Sequence, residues 1–272
     1  MHESVLVYRN LRYLKWSSFL VFLSTALYFF HSPLGEPNGG TWLGYALGTI
    51  AAGIMLWLSW FGVRKRYYRS EIKLEGWLSG HIYLGLALVF VATLHAGFQL
   101  GWNIHSLLYI LMMVVVLSGF VGLYFYVRFP ILLAQNRAGE TSKTMMTQIA
   151  DLDREIRSLS AQLSDDIVNI ILKAVRETVI GGSLYRKLSG TDLGCPTTKA
   201  RLYLESLSNQ QGDREIRQLL AKLAKKEDFL STMRRDIQLR CLLQVWLYVH
   251  VPMTFATLAA LVAHVISVFY FW

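Results

Sequence analysis

Apolar and polar positions alternate in long blocks rather than in short periods. Five runs are almost wholly apolar: about 14–30, 42–62, 77–101, 106–126 and 242–272. About 20 apolar residues suffice for a helix to cross a bilayer, and in lipid an open chain satisfies its backbone only as helix. The pattern therefore predicts an all-α integral membrane bundle of five spans. The first run follows Arg9, Arg12 and Lys15 as a signal peptide does, but Phe29-Phe30-His31-Ser32-Pro33 is no cleavage site, so it reads as an uncleaved span.

Between the fourth and fifth runs the period changes. Ile149, Leu152, Ile156, Leu159, Leu163, Ile167 and Ile170 recur every three or four residues, which predicts one coiled-coil-like amphipathic helix ended by Gly181-Gly182. Ser189 to Pro196 is looser, and a short helix is expected from about Thr197. Ile216, Leu220, Leu223, Leu230, Met233 and Ile237 predict a further helix running on into the fifth span. The expected organisation is spans one to four in 1–128, a cytoplasmic helical-hairpin insert in 129–245, and the fifth span in 246–272. The insert reads either as a solvated spacer or as a docking surface.

Composition agrees. The chain of 272 residues is 54% hydrophobic and 17% charged, with a net charge of +9. Its 27 Lys and Arg all fall, under this topology, on one side of the spans, which the positive-inside rule makes cytoplasmic. The N-terminus is then inside and the C-terminus outside. The basic excess is explained by topology, and no nucleic-acid partner is expected. Cys195 and Cys241 form no CxxC pair, so no zinc or iron–sulfur site is expected from them. Neither GxGxxG nor a Walker motif occurs, and no nucleotide-binding domain is expected.

The chemistry lies in histidine. His81 and His95 are fourteen residues apart in the third run; His250 and His264 are fourteen apart in the fifth. Fourteen residues bring a helix back to one face and rise about 21 Å. Spans three and five run in parallel under the five-span topology, so His81 is expected to face His250 near the inner side, and His95 to face His264 near the outer side. Two stacked b haems need that arrangement. Gly85 and Gly97 would let a porphyrin approach, Leu88 would separate the rings, and Pro252 would bend the fifth span. Arg64, Lys65, Arg66, Arg69 and Lys73 are candidates for inner propionates or plain topology signals. His31 and His105 read as interfacial, with a place beside an outer propionate or quinone headgroup as the lesser reading. A histidine proton path or a metal transporter is disfavoured by the lack of Asp and Glu within the spans.

With its two equal histidine intervals the chain resembles the ferric reductase-like transmembrane domain, the group of ferric reductases, NADPH oxidases and the haem subunit of the bacterial methionine sulfoxide reductase system. The resemblance covers the five spans and not residues 129–245. It implies two haem b groups bound by His81, His95, His250 and His264, and a cytochrome b-type subunit that relays electrons across the membrane. The flavin and nicotinamide domains of the reductases find no counterpart here. The expectation is thus a non-catalytic subunit of a hetero-oligomeric oxidoreductase complex, working between separate donor and acceptor proteins or quinone, in a bacterial inner (cytoplasmic) membrane. The alternative is a membrane anchor or docking subunit without a redox role of its own.

Overall fold

A computed structural model describes residues 5–33, 37–66, 74–137, 139–211 and 214–270. The described residues form helices and no strand: a single 3-10 turn, Val5–Val7, then α1 (Tyr8–Phe30), α2 (Trp42–Arg66), α3 (Leu74–His95), α4 (Ile104–Arg137), α5 (Ser142–Ser160), α6 (Asp165–Arg176), α7 (Leu184–Ser189), α8 (Pro196–Gln211) and α9 (Arg214–Tyr270). Five helices, α1 to α4 and α9, are long and apolar enough to cross a membrane. The chain divides into two units, 1–122 with 247–272, and 123–246. Residues of α4 and α9 belong to both.

In the first unit the core is a narrow seam. Leu43, Leu47, Ala51 and Met55 of α2 pack with Leu88, Val91 and Leu94 of α3, Met112 of α4 and Leu261 of α9. Large apolar side chains cover its outside: Phe22, Phe30, Phe255 and Phe269 are all at least 66% exposed. Water would make such a surface untenable, whereas hydrocarbon accepts it.

Local caps set the ends. Thr41 Oγ1 accepts from Gly44 N–H at 3.0 Å and starts α2, and Asn103 Oδ1 accepts from Ser106 N–H at 3.0 Å and starts α4. The third span is shorter than its apolar run. Gly97 adopts φ +59°. Its N–H reaches Leu94 O at 3.2 Å, and Phe98 N–H reaches Thr93 O at 3.4 Å. That is a Schellman stop, and it makes His95 the last helical residue rather than a mid-span one. A Cβ on Gly97 would lie 2.0 Å from Pro37 O. The glycine is accounted for by this turn, not by a close approach of porphyrin. The fourth span is longer than predicted: α4 continues past Tyr126 and through Pro130. On α1, Arg9, Asn10 and Leu11 take left-handed φ values, so regular helix follows them.

The second unit has two apolar clusters. Leu152, Ile156, Ile167, Ile171, Ala174, Ala200, Leu204, Ile216, Leu219 and Leu223 form one, and Met145, Ile149, Cys195, Leu230 and Met233 the other. The single helix predicted across 149–170 is two. α5 ends at Ser160, and α6 restarts behind Ser164 with Asp165 and Asp166 in its first turn. The apolar period survives because both helices turn the same residues into one cluster. Acidic side chains beside new N–H groups favour the restart. α6 ends at Arg176, before Gly181-Gly182. α7, not predicted, stops at Gly190 with φ +69°, where a Cβ would sit 2.7 Å from Gln238 Oε1. α8 begins at Pro196, one residue from the expected start, and α9 runs unbroken from the amphipathic stretch through Pro252 to Tyr270.

Candidate functional site

The four histidines of the two pairs all fall in the first unit and are all part-buried. At one end of the seam, the rings of His95 (α3) and His264 (α9) lie with centroids 6.0 Å apart and planes at 84°. Two imidazoles on one metal, at a usual bond of about 2.0–2.1 Å each, need centres about 6 Å apart. The centroid separation of the pair matches that value, and the Cε1–Nε2 edge of His95 lies beside Gly48 of α2.

Each ring is held by its Nδ1. His95 Nδ1 lies 2.8 Å from Gly44 O. A carbonyl only accepts, so this nitrogen carries the proton. His264 Nδ1 lies 2.5 Å from His105 Nδ1, the two rings meeting edge to face at 4.6 Å. A metal-binding histidine usually engages its second nitrogen in this way, which fixes tautomer and orientation. Among the described residues no hydrogen bond takes up Nε2 of His95 or of His264.

At the other depth, His250 Nδ1 lies 2.6 Å from Ser118 Oγ of α4. His81 packs against Phe61 at 5.1 Å between centroids and is within electrostatic reach of His250. Its Nδ1 is buried without a hydrogen bond, with the Leu58 carbonyl the backbone group beside it. Leu88, expected between the two depths, is 2% exposed within the apolar seam.

A symmetry emerges that the intervals alone did not reveal. α2 serves the α3 histidines, with Gly44 beside His95 and Leu58 beside His81. These two α2 positions are themselves fourteen residues apart. α4 serves the α9 histidines, with His105 beside His264 and Ser118 beside His250, thirteen residues apart.

Sequence reasoning passed over Gly44, Gly48 and Ser118, and set His105 aside as interfacial. A Cβ at Gly48 would lie 2.7 Å from His95 Cε1, and one at Gly44 would lie 2.3 Å from Asn38 O. The signal for these was the Gly44-x3-Gly48 spacing in an apolar helix, usually a helix-packing mark. Here it admits an imidazole and a loop. Gly85, expected to give porphyrin room, meets only Leu58 Cδ1 at 3.9 Å.

The basic side chains are partly accounted for. Arg64 lies over the Trp77 ring at 4.6 Å, and Trp77 stacks on Trp57 at 5.0 Å. Arg69 and Lys73 lie outside the described residues, as do the side chains of Lys65 and Arg66. His31 rests edge-on against Trp42 at 5.2 Å. Both cysteines are buried and free. No known family model, curated protein or solved structure matches the chain.

Proposed function

We propose that this chain is a transmembrane electron-transfer subunit holding two b haems, one between His95 and His264 and one between His81 and His250. The observation that carries the reading is the 6.0 Å approach of His95 and His264 from α3 and α9, with both Nδ1 atoms already engaged. His95 and His264 would hold the iron of a haem through their remaining nitrogens. The buried, unbonded nitrogen on His81 supports a second centre. When bound, haem supplies one-electron uptake and release.

The protein's part is ligation, depth and exclusion of water. A haem held by both histidines of a pair would be closed to oxygen and substrate, which favours relay over catalysis at that centre. The seam around Leu88, Val91 and Leu261 surrounds the route with apolar side chains. The charge distribution along the sequence supports an N-terminus and residues 129–245 on the cytoplasmic side of a bacterial inner membrane, with donor and acceptor supplied by other proteins or quinone. Membership of the ferric reductase-like group is part of the same proposal and rests on the histidine intervals.

The separately cored second unit favours one further role, that of an anchor on which a partner docks. The two roles are separable. A reduced absorption spectrum of the purified chain should give a b-type α band and two haems per polypeptide, and His264→Ala should remove one. Absence of any haem in protein purified from its own membrane overturns the electron-transfer reading. Full activity of the parent complex with both His95 and His264 replaced would leave only the anchor.

A further inference from the structure

We propose that α4 is the orienting helix for the α9 histidines: Ser118 accepts a hydrogen bond from Nδ1–H of His250, and His105 accepts one from Nδ1–H of His264, so each ring presents its Nε2 lone pair as donor atom. The identity of what binds rests on the haem reading above; the Ser118 tautomer argument does not.

A serine hydroxyl has one proton. Ser118 Oγ–H donates to Val115 O at 2.8 Å, and a carbonyl can only accept. The same oxygen lies 2.6 Å from His250 Nδ1. One proton serves both contacts; we assign it to Val115 O, so that Ser118 accepts from Nδ1–H of His250. A neutral imidazole has a single N–H, so the lone pair of His250 is on Nε2.

At the other depth the partner is itself an imidazole. The 2.5 Å contact between His264 Nδ1 and His105 Nδ1 holds one proton between two nitrogens. If it belonged to His105, the neutral His264 ring would carry its own proton on Nε2 and could not ligate from there. On the haem reading the proton therefore belongs to His264, and His105 accepts it, carrying its own proton on Nε2. His95 follows the same rule through Gly44 O. Each of these three rings thus meets a dedicated acceptor on a neighbouring helix, placed at its own depth.

Ser118 and His105 are positioning residues; neither is placed on the metal. Loss of such a partner usually costs about 10–100-fold in affinity for the metal centre. The test titrates hemin into the full-length chain stripped of haem and follows the low-spin electron paramagnetic resonance signal and midpoint potential of each centre. Ser118→Ala should weaken one site about 10–100-fold, raise its potential and alter its signal, leaving the other untouched. Ser118→Thr, which keeps the hydroxyl, should restore it. His105→Leu should act on the other site alone, and His105→Gln, which keeps an acceptor, should act less. Ala and Leu variants with both centres unchanged overturn the proposal. So does a Thr variant as impaired as the Ala variant, because that marks packing rather than hydrogen bonding. Nitrogen-15 spectra of histidine-labelled wild-type protein separate the two levels of inference. Nδ1–H at His250 and His264 in a chain that binds no hemin sustains the orienting role and defeats the haem reading. Nε2–H at His250 overturns the orienting role even in a chain that binds two haems.

Discussion

The two units bury polar groups by opposite rules. In the second unit a charge is among the most buried polar side chains. Lys226 is 1% exposed, and its Nζ donates to Asp153 Oδ1 at 2.6 Å and to Ala174 O at 2.9 Å. In the first unit the comparable groups are the histidines, which meet a carbonyl, a hydroxyl and another imidazole. The difference follows from the surroundings. A unit with polar outer faces can set an ammonium beside a carboxylate that is itself 20% exposed. A seam faced by hydrocarbon cannot offset the desolvation of two charges, so it uses neutral donors and acceptors. Three of the four paired histidines thus have Nδ1 engaged by a neutral partner.

This contrast breaks most visibly at Lys226. Asp153→Ala leaves an ammonium buried with only a carbonyl for company and should cost about 3–5 kcal/mol. Lys226→Met fills the same space without charge and strands only a part-exposed carboxylate, so its cost should be well below that of Asp153→Ala. Chemical denaturation monitored by the second unit's helix signal checks the order. Equal costs would mean that volume, not charge pairing, governs this position.

The first unit should be most sensitive at a glycine. Gly48→Ala puts a Cβ against the His95 ring. It should cost about 1–3 kcal/mol by overpacking, because the ring cannot move without leaving Gly44 O. Gly53, on the same helix, has nothing within 4 Å of its would-be Cβ. Gly53→Ala should be neutral or stabilising by up to about 1 kcal/mol. Thermal unfolding of both variants in one detergent reads the difference, and similar values would remove His95 as the cause.

The units also differed in how far they could be read beforehand. Five spans were legible because hydropathy over twenty residues is a large signal, and the histidine intervals were legible because fourteen is close to four turns. The end of α3 was not, since Ala96 to Gly101 is as apolar as a helix and only the left-handed turn at Gly97 stops it. In the insert, apolar spacing carried straight through the gap after Ser160, because the two helices on either side share one cluster. Ser164-Asp165-Asp166 was the available mark of a restart. The partners of the histidines were hidden for another reason. Gly44 acts through backbone oxygen, which has no residue type, and Ser118 looks like any hydroxyl in an apolar helix.

The smallest predicted effect sharpens the same comparison from inside the second unit. Cys195 is fully buried. Burial pushes its thiol up, but Arg234, which donates to Sγ at 3.3 Å, together with the Thr198 and Thr197 backbone, brings the net below its ordinary value. The folded thiol is thus more acidic than the unfolded one. Its contribution to stability is fully present above the ordinary thiol pKa and is lost as the pH falls through the lower folded value. Arg234 also donates to Val179 O at 3.0 Å and lies 3.6 Å from Asp192, so Arg234→Met removes charge from a shared knot. The variant should move the Cys195 titration, read as thiolate absorbance against a Cys195→Ser blank, to higher pH, and should flatten the gain in stability across that window. An unmoved titration would assign the acidity to the two backbone groups at the start of α8. The charge-pairing rule of the second unit would then stop at Lys226.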